Sequence, residues 1–199
     1  MDIKAKKSLG QNFLKDKNIA YKIAESLQIE KNDLVVEIGP GTGVLTEQLL
    51  KFTDNLILIE IDRRAIEILH DKFFNYPSIE IINQDIKNYD FNNAFKKNSD
   101  QRILLIGNIP YYLTGLIFSR VFDNSHLIRR AVFTIQKEVA LRLTAKINNK
   151  DYSILTIAAN FSGETEKLFD IPAEFFSPKP KVDSAVIRHI FHDNFDKVK

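Results

Sequence analysis

Five short aliphatic segments alternate with stretches of helical periodicity, and this alternation leaves few folds open to the chain. The aliphatic segments are nearly continuous apolar runs, typical of strands covered on both faces: residues 34–39, 56–62, 79–85, 102–108 and 131–136. Residues 44–50 and 63–74, which lie between them, space their apolar side chains three and four apart, as helices do. The pattern predicts a doubly wound α/β fold with helices on both faces of a mostly parallel sheet.

The pattern changes near the end of the sequence. Residues 167–172 and 184–192 resemble strands, and the stretch between them, residues 175–183, contains two prolines. We expect a late antiparallel pair with a functional loop between its strands. The 199 residues, 44% of them hydrophobic, suffice for one well-buried domain, and no linker or repeat divides them.

Composition excludes several classes of protein. The chain contains no cysteine, so it has neither a disulfide framework nor a thiolate zinc site. Its first residues lack the apolar core of a signal peptide, and no window approaches the roughly 20 apolar residues of a membrane span. We therefore expect a cytoplasmic protein without membrane contact.

Positive charge is concentrated in two segments, although the net charge of the whole chain is only +2. Residues 1–22 carry six lysines and a net charge of +4, and residues 129–150 carry a net charge of +5. If the two segments fold together, they form a surface for nucleic-acid phosphates; otherwise they are two solvated helix faces.

A glycine-rich loop, EIGPGTG at residues 37–43, follows the first predicted strand and precedes a predicted helix. Gly39, Gly41 and Gly43 allow a sharp turn and a close approach of backbone to ligand. Such a loop serves both nicotinamide dinucleotides and S-adenosylmethionine. Pro40 makes the dinucleotide the weaker alternative, because it lacks an amide hydrogen for a pyrophosphate.

Acidic residues end the next two predicted strands. Glu60, about 20 residues after the glycine loop, is suited to accept hydrogen bonds from both ribose hydroxyls of a nucleoside. Asp85 ends the third strand, where it could meet the adenine ring. Their alternative roles are a solvated strand-end acid for Glu60 and a turn or helix cap for Asp85.

The fourth strand ends in GNIPY, residues 107–111, which suits chemistry on an exocyclic adenine amine. Such an amine is a poor nucleophile, because its lone pair is delocalised into the ring. The side-chain oxygen of Asn108 and the carbonyl of Pro110 can accept its two hydrogens and aim the lone pair at a sulfonium methyl. Tyr111 offers a flat face to an extruded base, and the reaction requires no metal. Alternatively, residues 108–111 are only a turn, and Tyr111 packs in the core.

Seven ordered segments resemble the ribosomal RNA adenine N6-dimethyltransferase family, which comprises small-subunit enzymes and macrolide-resistance methyltransferases. The segments extend along most of the chain: SLGQNFL (8–14), VVEIGPGTGVLT (35–46), IEID (59–62), NQD (83–85), GNIPY (107–111), QKEVALRLTA (136–145) and FFSPKPKVDSAV (175–186). The first and last are more similar to the small-subunit branch. The chain departs from that branch at residues 112–114 and 151–161.

The resemblance implies a Rossmann-like class I methyltransferase fold with seven strands, the late one antiparallel. It implies one S-adenosylmethionine-dependent domain over residues 1–199, without the small C-terminal helical domain that the family usually carries. The implied cofactor site is Asn12, Leu14, Gly39, Gly41, Glu60, Asp85 and Asn108. Catalytic residues implied by the family are Asn108, Pro110, Tyr111 and Phe176. Phe176 would stack on the other side of the target adenine, and Phe175 is the better candidate for the core.

The expected activity is transfer of methyl groups from S-adenosylmethionine to the N6 amine of adenines in small-subunit ribosomal RNA. We expect dimethylation of adjacent adenines during ribosome biogenesis, by a monomer acting on the immature small subunit. Two alternatives stay open: a resistance-type enzyme acting on large-subunit RNA, and a cofactor-binding factor in ribosome assembly or transcription with vestigial catalysis.

Overall fold

The computed structural model describes residues 3–98 and 101–192. The ends of the expected domain, residues 1–2 and 193–199, lie outside the described residues, and with them Asp2 of the first basic segment. Residues 99–100 and the side chain of Lys7 are not described either.

The described part contains a seven-stranded sheet, a two-stranded sheet and seven α-helices. The strands are β1 (Phe13–Leu14), β2 (Val35–Ile38), β3 (Leu56–Glu60), β4 (Glu80–Asn83), β5 (Ile103–Asn108), β6 (Ile128–Gln136), β7 (Gly163–Ile171), β8 (Phe176–Ser177) and β9 (Ser184–Phe191). The helices are α1 (Lys17–Ser26), α2 (Val44–Leu49), α3 (Arg63–Lys72), α4 (Phe91–Lys97), α5 (Thr114–Asp123), α6 (Lys137–Leu143) and α7 (Ile154–Ser162).

The large sheet has the strand order β4-β3-β2-β5-β6-β9-β7. Strands β2 to β6 pair in parallel, whereas β9 is antiparallel to both of its neighbours. This confirms the predicted α/β class, with a mostly parallel seven-stranded sheet and a late antiparallel strand. The predicted late pair is also present, because β7 and β9 flank the proline-bearing loop.

The central parallel strands β2, β3 and β5 are buried on both faces, which explains their nearly continuous apolar sequence. Alternate residues of β2 point to opposite sides: Val36 belongs to the apolar layer that includes residues of α4 to α7, and Val35 to the layer that includes residues of α1 to α3. The same alternation in β3 and β5 builds two apolar layers, one on each side of the sheet. Helices therefore cover both faces, as predicted.

The strand order reverses between β2 and β5, since β3 and β4 extend the sheet on one side and β5 and β6 on the other. In parallel α/β sheets, a crevice opens at such a reversal, outside the carboxyl ends of the strands. The glycine loop follows β2 at this point.

An N-terminal segment, residues 4–14, crosses this edge of the sheet, and we call it the strap. Its last residues form β1, which pairs antiparallel with β8, so that Phe13 faces Ser177 and Leu14 faces Phe176. The amide of Lys15 extends the pairing by donating to the carbonyl of Phe175, at 2.9 Å. The sequence analysis did not predict this small sheet.

Among the described residues, no helix is both long enough and apolar enough to pass through a membrane.

Candidate active site

A cavity lies at the carboxyl edge of the sheet, under the strap. About 800 Å³ of empty space lies between its walls, a figure that includes open solvent at the mouth. The tips of β2, β3, β4 and β5 all contribute to its wall. The expected site residues that line it are Asn12, Gly39, Gly41, Glu60, Asp85, Asn108, Pro110 and Tyr111.

The glycine loop forms the wall after β2. Gly39 has a φ of +66°, and a Cβ at this position would meet no atom within 4 Å. Glycine is therefore favoured by the backbone conformation and leaves room in the cavity. Gly41 has a φ of +56°, and its missing Cβ would lie 2.9 Å from the ring of Phe13. Any side chain at Gly41 would push against the strap.

Three backbone amides hold the carboxylate of Glu60. Oε2 accepts from the amide of Gly41 at 3.0 Å, and Oε1 accepts from those of Ile61 and Asp62 at 2.9 Å each. Burial raises the pKa of Glu60 above its ordinary value, and the three amides oppose that rise. The carboxylate is thus fixed at the cavity wall, where its remaining lone pairs can accept hydroxyl hydrogens.

Asp85 lies after β4 and is half-buried at the cavity. Its Oδ1 accepts from the amide of Lys87 at 2.9 Å and so begins a short 3-10 turn. Asp85 therefore has the capping role that was its alternative interpretation, and it also lines the cavity. The two roles are compatible, because the cap uses only one carboxylate oxygen.

The amide group of Asn108 is oriented by the strap. Its Nδ2 donates to the backbone carbonyl of Asn12 at 2.8 Å. Because a carbonyl only accepts hydrogen bonds, this contact fixes which end of the amide is nitrogen. Oδ1 of Asn108 has no hydrogen-bond partner in the described part of the chain, so it is available as an acceptor at the cavity.

The next residues continue the wall in a 3-10 turn, Tyr111–Leu113. The carbonyl of Pro110 accepts from the amide of Leu113 at 2.9 Å, which leaves one of its two lone pairs. Tyr111 is half-buried, and its hydroxyl lies 2.8 Å from Oγ of Ser184. Burial raises the pKa of Tyr111 above its ordinary value, so the phenol is neutral at physiological pH.

Two expected site residues do not line this cavity. Leu14 is 7% exposed and lines a smaller neighbouring cavity, and Phe176 is 2% exposed and packs with Leu14 in the apolar layer of α1 to α3. The expectation that Phe175 is the better core residue was wrong, because Phe175 is only partly buried. Phe175 ends a 3-10 turn, Ala173–Phe175, whereas Phe176 begins β8, which pairs with β1 and places its ring in the core.

Four residues that build the site were not predicted from the sequence: Phe13, Asp62, Gln11 and Lys6. Phe13 lines the cavity in place of Leu14, again because side chains of a strand alternate. Asp62 accepts from Gln11 Nε2 at 3.0 Å and forms an ion pair with Lys6, and both of these residues belong to the strap. An aspartate directly before a predicted helix and two residues after Glu60 was the available signal for Asp62.

A second buried carboxyl, that of Glu37, lies below the glycine loop. The hydroxyl of Thr46 donates to its Oε2 at 2.6 Å. Burial raises the pKa of Glu37 to about 8, and the nearby Glu60 adds to the rise. Glu37 lines the same smaller cavity as Leu14.

The second basic segment is divided between two edges of the sheet, so it does not form one phosphate-facing surface. Arg129 pairs with Asp33 and Glu30, and Arg130 donates to the carbonyls of Leu27 and Gln28, all at the amino edge. The later residues of the segment follow β6 at its carboxyl end. The net charge of residues 129–150 does not reveal this division, because the two ends of a strand lie at opposite edges of the sheet.

The described residues contain no cluster of three or more His, Asp or Glu side chains arranged to hold a metal ion. The cavity instead combines a fixed carboxylate, an open glycine turn, an oriented amide oxygen and an aromatic ring. Such a set can bind a nucleoside and present acceptors to an amine.

The comparisons with known proteins agree with this geometry. The profile of the family described as Ribosomal RNA adenine dimethylase matches residues 2–199. A protein of Mycoplasma mycoides subsp. mycoides SC, named Ribosomal RNA small subunit methyltransferase A, is 41% identical over 98% of this chain and 73% of its own length.

Two solved structures are similar over most of the chain. A dimethyladenosine transferase from Plasmodium falciparum superposes with a TM-score of 0.84 at 29% identity, covering 94% of this chain and 66% of the other. The 23S rRNA methyltransferase ErmE superposes with a TM-score of 0.79 at 30% identity, covering 91% of this chain and 70% of the other. The expected resemblance is thereby confirmed, and the chain belongs to the ribosomal RNA adenine dimethylase family.

Proposed function

We propose that this chain transfers methyl groups from S-adenosylmethionine to the N6 amine of adenines in small-subunit ribosomal RNA. The observation that carries the proposal is the oriented amide of Asn108, whose oxygen is available at a cavity shared with the Glu60 carboxylate. A nucleoside-binding group and an amine-accepting group thus lie at one site. We infer that the chain acts as a single methyltransferase domain.

The cavity fits the cofactor. Glu60 would accept the ribose hydroxyls, and the open space at Gly39 admits a ligand close to the backbone. Asp85 and the apolar side chains of Ile61 and Ile86 line the part of the wall that suits an adenine ring. When bound, S-adenosylmethionine supplies an electrophilic methyl group on a sulfonium, and the reaction uses no metal.

The chain's own residues would prepare the target amine. Oδ1 of Asn108 and the remaining lone pair of the Pro110 carbonyl would accept its two hydrogens. These contacts favour a tetrahedral nitrogen, whose lone pair is then no longer shared with the ring. Because they strengthen as the nitrogen changes shape, they stabilise the transition state more than the bound substrate.

Tyr111 would provide the stacking face for the flipped adenine, since its ring lies at the cavity wall. Stacking of a base on an aromatic side chain contributes about 1 to 3 kcal/mol. Phe176 would act differently from the expectation. Its ring is buried against Leu14, so it would support the strap through β1 and β8.

The small-subunit target is favoured by the named relatives. Identity is 41% to the small-subunit methyltransferase of Mycoplasma and 30% to the 23S rRNA methyltransferase ErmE. We infer a monomer in the cytoplasm that dimethylates adjacent adenines on immature small subunits. Large-subunit RNA is the second candidate substrate, because the two branches share this fold.

A labelling experiment tests the proposal. The chain is incubated with methyl-labelled S-adenosylmethionine in two separate reactions, one with immature small ribosomal subunits and one with immature large subunits. The modified nucleotides are then mapped by mass. We expect label in N6-dimethyladenine of the small-subunit RNA. Label in large-subunit RNA alone would support the resistance-type function, and tight binding to subunits without label would support a vestigial binding factor.

A further inference from the structure

The ring of Tyr111 needs a constraint that its own turn does not provide. Tyr111 and Tyr112 are neighbours in one short 3-10 turn, yet Tyr112 is 58% exposed whereas Tyr111 is half-buried. A turn of three residues does not by itself hold an aromatic ring at one angle. A contact from outside the turn can constrain the Tyr111 ring.

Ser184 supplies such a contact. Its hydroxyl lies 2.8 Å from the hydroxyl of Tyr111, and the residue is fully buried at the start of β9. The backbone of Ser184 pairs with Gln136 of β6 on one side and with Ile171 of β7 on the other. A hydroxyl held on a strand between two partners has little freedom to move, so it can fix the far end of the tyrosine ring.

The contact links two segments that are distant in sequence. Tyr111 follows β5 and carries the proposed stacking face. Ser184 follows residues 178–183, the part of the proline-bearing loop that lies after β8. No other hydrogen bond to either hydroxyl is present in the described part of the chain. A buried hydroxyl without a partner is destabilising, so each group favours the contact with the other.

We propose that Ser184 is a positioning residue, whose hydroxyl sets the angle of the Tyr111 ring for stacking on the target adenine. The proposal rests on the proposed function and deepens it. Ser184 itself touches neither adenine nor cofactor in this scheme. It acts only through the phenol, so its effect should vanish once the phenol hydroxyl is removed.

The test combines two substitutions that break the contact from either side. Ser184→Ala removes the serine hydroxyl, and Tyr111→Phe removes the phenol hydroxyl but keeps the ring. We expect each variant to lower kcat for RNA methylation by about three- to tenfold, the worth of one neutral hydrogen bond. We expect the double variant to be no slower than either single variant, because all three lack the same contact.

Three further readouts separate positioning from general stability. The affinity for S-adenosylmethionine should be unchanged in all three variants, and Ser184→Thr, which keeps a hydroxyl, should recover part of the lost rate. With 2-aminopurine in place of the target adenine, quenching of its fluorescence by stacking should be weaker in Ser184→Ala than in the wild-type protein.

Matched controls exist within the chain. Ser125 is as buried as Ser184 and Tyr89 is buried as well, but neither hydroxyl has a hydrogen-bond partner among the residues that the structure describes. Ser125→Ala and Tyr89→Phe should therefore leave kcat unchanged. If Ser184→Ala does not fold, Tyr111→Phe alone still breaks the contact and should show the lower rate and the weaker quenching.

Three results would overturn the positioning role: wild-type kcat in both single variants, independent losses that add in the double variant, or a loss of cofactor affinity equal to the loss in kcat. Each is measured against a wild-type protein that methylates adenine. A wild-type protein that transfers no methyl group to adenine would instead overturn the proposed function, and with it this role.

Discussion

Single side chains in this site are oriented by backbone groups. Three amides hold the Glu60 carboxylate, and the carbonyl of Asn12 holds the amide of Asn108. Backbone partners belong to strands and turns that cannot rotate freely, so the acceptors are fixed before any ligand binds. Such preorganisation is the main source of transition-state stabilisation in many enzymes.

Asn108→Ala should separate catalysis from cofactor binding. We expect kcat to fall by about 10²- to 10³-fold, as when one preorganised hydrogen-bonding group is lost, while cofactor affinity changes by less than about tenfold. Single-turnover methylation and equilibrium cofactor binding measure the two quantities. Wild-type turnover in this variant would exclude Asn108 as the acceptor for the amine.

Glu37 should make stability depend on pH. The unfolded chain loses this proton near the ordinary value of 4.5, whereas the folded protein keeps it up to about 8. The contribution to stability is fully present below about pH 4.5 and is lost as the pH rises through about 8. We expect Glu37→Gln, which stays neutral, to gain stability relative to the wild-type protein between about pH 5 and pH 8.

Urea unfolding at the two pH values measures that gain, and the exposed Glu67 provides the control substitution, Glu67→Gln. A constant difference between Glu37→Gln and wild type at both pH values would mean that Glu37 is already ionised in the folded protein.

The sequence predicted residues at strand ends better than residues on the strap. Glu60, Asp85 and Asn108 could be placed because parallel strands bring their carboxyl ends to one edge. The directions of Leu14 and Phe176 could not, because a strand of two residues has no periodicity from which to choose a face. The interaction of Ser184 with Tyr111 spans 73 residues, and no local pattern predicts a contact of that range.

The strap is attached by side chains as well as by the backbone pairing of β1 with β8. Asp62 accepts from Gln11, Lys6 and Arg64, and the Arg64 guanidinium holds the pKa of Asp62 well below its usual range. Arg64 also donates to the carbonyl of Lys4 at 3.1 Å. The start of α3, which follows Glu60, is thereby joined to the segment that covers the cavity.

Gln11→Ala should loosen the strap without unfolding the sheet. It removes the hydrogen bond that Gln11 donates to the Asp62 carboxylate and the one that it accepts from the Lys6 amide, and we expect cofactor affinity to fall by about three- to tenfold through faster dissociation. Stopped-flow dissociation measures the rate, and the free energy of unfolding should change by less than about 1 kcal/mol. Gln101→Ala, at the exposed amino end of β5, is the control. An unchanged dissociation rate would show that Gln11 does not hold the cover closed.

The five predicted strands are present, with ends that differ by a few residues. β6 begins at Ile128, three residues before the predicted start. The two arginines that follow Ile128 interrupted the apolar pattern, although they belong to the strand and bind partners at its amino edge. Strand pairing tolerates polar side chains where the ends of a sheet reach solvent.

On the scale of the whole molecule, the distribution of charge separates the two edges of the sheet. Arg129 and Arg130 are engaged at the amino edge, whereas the exposed Lys179 and Lys181 lie in the loop before Ser184, the residue whose hydroxyl contacts Tyr111 of the cavity wall. These two lysines lie outside the two segments, residues 1–22 and 129–150, in which positive charge is concentrated in the sequence. Their position suits contact with RNA phosphates near the target base.

Replacing both Lys179 and Lys181 by glutamine should weaken RNA binding in a salt-dependent way. We expect the slope of log K against log salt concentration to decrease in magnitude by roughly 1 to 2, because two phosphate contacts are lost. Binding titrations over a range of salt concentrations measure the slope. Lys31→Gln, an exposed site at the amino edge, should leave it unchanged. An unaltered slope in the double variant would place the phosphate contacts elsewhere.

The position of β9 also bears on how the molecule is made. This strand follows all the other described strands in the chain, yet it lies inside the sheet, between β6 and β7. During translation, β7 emerges from the ribosome before its only neighbour in the sheet exists, and it must wait for β9. Since β9 begins with Ser184, we expect a nascent chain to form early the part of the cavity that the tips of β2 to β5 build. The contact that constrains the Tyr111 ring would follow only when β9 is inserted.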